Sequence, residues 1–148
     1  MDKIDIAIHD VIVSPLKKIN NSKGDLYHIM RNFDEGYNGF GEVYISTINY
    51  LQIKAWKRHK KMISNIVVPI GQVKFIIADL RDYSPSYGRI NEYILSIDNY
   101  IRLTIPPNLW YGFMGLSEGS NMIINVANIS HDPNEQFNEE QEFINYKW

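Results

Sequence analysis

Apolar and polar positions alternate along this chain in short runs, separated by Gly, Pro, Asn or Asp. Glu42–Ile48, Gln52–Arg58, Ile63–Val68, Gln72–Asp79, Glu92–Leu95, Tyr100–Ile105, Leu109–Leu116 and Asn121–Ile129 each read as a strand, rich in β-branched and aromatic residues. The run Phe75-Ile76-Ile77-Ala78 is continuously apolar, which marks a strand buried on both faces. Pro69-Ile70-Gly71, Ser84-Pro85-Ser86-Tyr87-Gly88 and Pro106-Pro107-Asn108 read as turns and loops. One short stretch, Gly24–Asn32, has weak helical periodicity. Evenly spaced strands without helices between them predict an all-β sandwich or closed barrel.

Composition supports this reading. Ten Tyr, six Phe and three Trp in 148 residues favour strands, and the length suits one domain over 1–148. The barrel core is expected at about 40–130, with a polar surface tail at about 131–148. The chain has no cysteine, which suits a reducing cytoplasm and excludes thiolate metal sites. Met1–Asp5 carries acids and no apolar run, so no signal peptide is expected, and no stretch is long enough to span a bilayer. A net charge of −2 argues against a nucleic-acid partner.

Charge placement says more than its sum. Lys54, Lys57, Arg58, Lys60 and Lys61 cluster in mid-chain, and Asp132, Glu135, Glu139, Glu140 and Glu142 crowd the tail. In a strand, Lys57, His59 and Lys61 share one face and Trp56, Arg58 and Lys60 the other. An inward Lys-His-Lys row needs an anion to offset its burial, and a pyrophosphate is one; a solvated basic face is the alternative. Asn65 and Asn125, each within an apolar strand, are expected to point inward and bind a sugar hydroxyl or a nucleobase edge. His59 stands alone in mid-chain, while His9, His28 and His131 lie toward the termini, so neither a metal nor another cofactor is expected.

From Glu42 to Pro133 the chain resembles the dTDP-4-dehydrorhamnose 3,5-epimerase family. The resemblance rests on Gly71-Gln72-Val73, on Asp79-Leu80-Arg81 with Ser84-Pro85-Ser86-Tyr87-Gly88, on Leu95-Ser96, on Ile105-Pro106, and on Gly112-Phe113-Met114-Gly115-Leu116-Ser117. It implies a cupin-type double-stranded β-helix (a jelly-roll barrel). It also implies a metal-free epimerase or isomerase acting on a nucleotide-linked 4-keto-sugar, dTDP-linked by analogy, for surface polysaccharide synthesis. A homodimer formed through strand exchange near the N-terminal region is implied as well, with Glu42–Ile48 as the candidate edge.

The resemblance changes at the chemistry. The family's base, the His of Arg-Gly-Leu-His, falls on Lys57, with His59 two residues further on the same face. The family's acid Tyr falls on Ile124, its enolate-stabilising Lys near Ser64, its second barrel His on Tyr111, and its orienting Asp on Gln141. His59 and Lys57 are therefore the candidate bases. Tyr111 is the candidate acid, with Tyr44, Tyr87 and Tyr100 behind it. Lys54, Arg58, Lys61, Asn65 and Asn125 are the candidate substrate-binding residues. A non-catalytic cupin that binds a sugar nucleotide or supports a partner enzyme is the alternative, and a 3,4-ketoisomerase is disfavoured for want of a second nearby His.

Overall fold

The computed structural model describes residues 7–148, so the Met1–Asp5 reading lies outside the described residues. Twelve strands are described: β1 (Ile12–Pro15), β2 (Lys18–Ile19), β3 (Leu26–Tyr27), β4 (Glu42–Thr47), β5 (Ile53–His59), β6 (Ser64–Ile70), β7 (Gln72–Ala78), β8 (Ile90–Ser96), β9 (Ile101–Ile105), β10 (Trp110–Gly115), β11 (Met122–Ala127) and β12 (Gln136–Asn138). One five-stranded sheet has the order β1-β9-β6-β11-β4; the second has β12-β5-β10-β7-β8. The sheets face each other across an apolar core that includes Ile66, Val68, Phe75, Ile77, Leu103, Ile105 and Ile123. This all-β architecture is the jelly-roll barrel of the cupins.

Two turns show how local chemistry sets the register. Gly71 joins β6 to β7 at φ +81, and a Cβ there would meet the Ser120 carbonyl oxygen at 2.3 Å. Asn108 turns β9 into β10 at φ 70, where an amide side chain is better tolerated than most. Its backbone N–H donates to the His59 carbonyl at 2.7 Å, which ties that turn to the end of β5.

Three sequence expectations are corrected. Gly24–Asn32 forms no helix: β3 runs through it, and Arg102 holds the following loop by donating to the carbonyls of Ile29 and Glu35, both at 2.8 Å. The tail is not simply a polar surface segment. β12 pairs with β5 in the register Gln136↔His59, and Glu135 is buried at its start. Beyond it, Ile144, Tyr146 and Trp148 cover Trp56, Ile76, Ala78 and Trp110 on the outer face of the second sheet. Apolar side chains dispersed among tail acids provide that cover, and burying them holds the tail in place. The third correction concerns the N-terminal part: the barrel begins before residue 40, because β1 pairs with β9.

Candidate active site

β5 carries the site because its alternation splits its side chains between two environments. Trp56 and Arg58 face outward, Trp56 into the tail-covered cluster and Arg58 between Trp110 and Phe137, 5.4 Å and 4.4 Å from their ring centroids. Lys57 and His59 face the barrel interior. His59, Lys57, Tyr44, Glu42, Met62, His131 and Gln136 line a cavity of about 320 Å³. Lys57 also lines an adjoining cavity of about 270 Å³ with Lys54, Tyr111 and Phe113.

At its centre, His59 Nδ1 is hydrogen-bonded to the Glu135 carboxylate, with both side chains buried. The other carboxylate oxygen accepts the backbone amides of Lys61 and Met62 at 3.1 Å and 3.2 Å. Burial works to raise the Glu135 pKa, but the His59 hydrogen bond and the two amides outweigh it and hold the carboxyl below its ordinary value. An ionised carboxylate can only accept, so the proton between the two groups belongs to Nδ1. That tautomer leaves Nε2 unprotonated, an acceptor whose one partner among the described residues is the Tyr111 hydroxyl, and burial lowers the His59 pKa despite the opposing pull of Glu135. His59 is thus neutral, oriented and basic at the atom that faces the interior.

Tyr111 lies 3.3 Å from Nε2 through its hydroxyl, and burial pushes its phenol far above the ordinary range. The facing sheet supplies polar groups of its own. Asn125, on β11, donates to the Tyr44 hydroxyl of β4 at 2.8 Å and lies 3.4 Å from the Ser64 hydroxyl. Lys57 has its pKa lowered by burial and by Lys54, with Glu135 opposing. Among the described residues its ammonium has no hydrogen-bond or ion-pair partner, so the cavity holds a cation ready for an anion. Lys54 donates to the Thr47 carbonyl at 2.9 Å at the outer end of the adjoining cavity.

The structure therefore brings together His59, Lys57, Tyr111, Asn125 and, at the rim, Lys54. It does not bring in Arg58, Lys61 or Asn65. Arg58 is on the opposite face of β5, and Lys61 is exposed beyond the strand's end. Asn65 points out of the barrel, where it accepts the Thr104 hydroxyl at 2.7 Å and donates to the Gly36 carbonyl at 3.1 Å. Ile124 also faces away, since Ile123 and Asn125 are the buried neighbours on β11. Gln141 does not orient the histidine; its carbonyl accepts the Trp56 indole N–H at 3.0 Å on the outer side. Glu135 does, six residues earlier. It was hidden among the tail acids, and the one local signal was Asp132-Pro133, which caps the short turn delivering it. Among the described residues, no group of three or more His, Asp or Glu side chains could hold a metal ion.

Comparison with known proteins decides the family. The model of the dTDP-4-dehydrorhamnose 3,5-epimerase family matches residues 50–148. The chain belongs to that family. A crystal structure of a dTDP sugar isomerase from Desulfovibrio desulfuricans G20 superposes with a TM-score of 0.89 at 32% identity, covering 92% of this chain and 87% of that one. The probable low-salt glycan biosynthesis epimerase Agl13 of Haloferax volcanii is 28% identical over 127 residues, 84% of this chain and 81% of its own. The spore coat polysaccharide biosynthesis protein SpsL of Bacillus subtilis is 26% identical over 145 residues, 95% of this chain and 96% of its own. A 3'-monoepimerase from Streptomyces bikiniensis, solved with dTDP, shares the fold with a TM-score of 0.83 at 12% identity, covering 93% of this chain and 72% of its own.

Proposed function

We propose that this epimerase-family chain inverts a carbon next to the keto group of a nucleotide-linked 4-keto-hexose, with His59 as the base. The observation that carries the reading is the His59–Glu135 pair, which leaves a neutral imidazole with its Nε2 lone pair in the cavity. A proton α to a ketone is acidic enough for a positioned imidazole only if the enolate oxygen is stabilised as charge develops on it. Lys57, two residues from His59 on the same face of β5, supplies that charge. Lys54, at the outer end of the adjoining cavity, takes a phosphate of the nucleotide.

In this assignment Lys57 occupies the role that the family's lysine fills from a position near Ser64, and Glu135 the role of its aspartate. Curated relatives named for glycan and spore coat polysaccharide biosynthesis support a place in surface polysaccharide synthesis, and structural neighbours solved with dTDP or dTDP-quinovose support a dTDP-linked substrate. The same reading places the chain in the cytoplasm as a homodimer, with no nucleic-acid or membrane partner. β4 is an edge strand whose Val43 and Ile45 are exposed, which suits pairing with a second copy. Incubation with a dTDP-linked 4-keto-hexose in deuterated water tests the chemistry: solvent deuterium enters the inverted carbon, and His59→Asn abolishes it. A wild-type protein that binds the sugar nucleotide without exchange would support the non-catalytic alternative.

A further inference from the structure

Inversion needs a proton donor on the face of the enolate opposite the base, and the obvious phenol is on the wrong side. Tyr111 is on β10, hydrogen-bonded next to β5 in the sheet that also carries His59. Its hydroxyl is directed at His59 Nε2, at 3.3 Å, so it contacts the base and shares its wall. Tyr87 is exposed on the loop after β7. Tyr100 packs on Tyr27 with ring centroids 5.6 Å apart, and it lines neither of the two cavities that Lys57 joins.

Tyr44 differs from all three. It is on β4, at the edge of the facing sheet, and its side chain lines the same cavity as His59 and Lys57. The register places Tyr44 directly across from Asn125, whose amide donates to the phenol oxygen at 2.8 Å. That hydrogen bond leaves the Tyr44 O–H free to donate elsewhere and stabilises the phenolate that donation would leave. The ring is 38% exposed, so the phenolate can be reprotonated from water, a route denied to the buried Tyr111 at 7%.

We propose that Tyr44, held by Asn125, is the general acid that protonates the enolate on the face opposite His59. The assignment rests on the proposed function. His59 Nε2 takes the α-proton, and the C–H pair moves into the carbonyl to give an enolate whose oxygen faces Lys57. The enolate pair then returns to carbon and captures the Tyr44 proton, which forms the new C–H bond and leaves a phenolate. Water reprotonates the phenolate and the imidazolium releases its proton, so no co-reactant is required. The inward acid of this site thus comes from β4, one strand over from the β11 position where the resemblance put it.

The test separates exchange from inversion in Tyr44→Phe, with a dTDP-linked 4-keto-hexose in deuterated water and the carbon that the wild type inverts as readout. The base can still remove and return a proton on its own face. Deuterium therefore enters that carbon with retained configuration within about tenfold of the wild-type exchange rate, while inversion falls by about 10²–10⁴. The persisting exchange shows that the variant is folded and its base intact. Inversion within about tenfold of wild type overturns the assignment of Tyr44, as does loss of exchange and inversion together. Absence of exchange in the wild type overturns the His59 reading and this assignment with it.

Discussion

Glu135→Gln is the substitution whose consequences the geometry fixes most closely. The carboxylate accepts from His59 Nδ1, Lys61 N and Met62 N at once. A glutamine of the same shape has one acceptor oxygen. If that oxygen keeps the two amides, its NH₂ group faces Nδ1 and can only donate. The imidazole must then accept at Nδ1 and carry its proton at Nε2, which removes the lone pair that the base uses. A wrong histidine tautomer has cost about 10⁴ in kcat in a hydrolase triad, and general base catalysis is worth about 10²–10⁴, so a loss of that order is expected. If the glutamine turns round instead, the amides of Lys61 and Met62 lose their acceptor, at about 1–3 kcal/mol each. The protein then melts lower by about 2–4 °C per kcal/mol. Three measurements follow: deuterium exchange at the substrate carbon, thermal unfolding, and nitrogen-15 shifts of the His59 ring, where the proton moves from Nδ1 to Nε2. Exchange within about threefold of wild type with the ring proton still on Nδ1 would refute the role given to Glu135.

The remaining predictions concern charge. The acid limb of kcat/KM, from His59, falls below the ordinary imidazole value of about 6.5, because burial lowers its pKa and the neutral form is the active one. Lys57 acts as the charged form and its pKa is also lowered, so activity falls on the alkaline side before about 10.4. Lys57→Met removes that alkaline limb and lowers kcat by about 10²–10³. Calorimetry should find its affinity for the nucleotide diphosphate little changed, whereas Lys54→Ala weakens that affinity by up to about tenfold, a charge-assisted bond of about 1.4 kcal/mol. Away from the site, Asp79 accepts from Arg81, Ser84 and Ser86, and although burial opposes it, these bonds hold its pKa well below the ordinary value. Its stabilisation is therefore present above the unfolded pKa of about 3.9 and is lost as pH falls through the lower folded value. Asp79→Asn should cost about 3–5 kcal/mol near neutral pH in chemical unfolding, and much less in strong acid.

The barrel was legible because most of its strands announce themselves locally. Phe75–Ala78 is apolar throughout and buried on both faces, and Gly71 and Asn108 mark turns at the ends of interior strands. The site was only half legible. Strand period placed Lys57 and His59 on one face, and the structure puts both in the cavity. Period cannot say which face is interior when both are covered, and that misplaced Asn65. The loop held by Arg102 and Asn65 buries the outer side of β6, so Ser64–Val68 are buried without alternation. Glu135 depends on a pairing that spans most of the barrel's sequence: it reaches His59 because β12 adds to the edge of β5. Apart from the Asp132-Pro133 turn start, no local pattern separates it from the four other acids of the tail. The same holds for Tyr44, whose relation to Asn125 exists only in the β4–β11 register.

In the proposed reaction His59, made basic at Nε2 by Glu135, removes a proton next to a ketone inside this barrel. Proton NMR of a dTDP-linked 4-keto-hexose incubated with the protein in deuterated water tests it most directly. Wild-type protein is expected to erase the proton signal at a carbon flanking the keto group, and His59→Asn of unchanged thermal stability to do so at a rate at least about 10²-fold lower. Equal exchange by wild type and His59→Asn would contradict it.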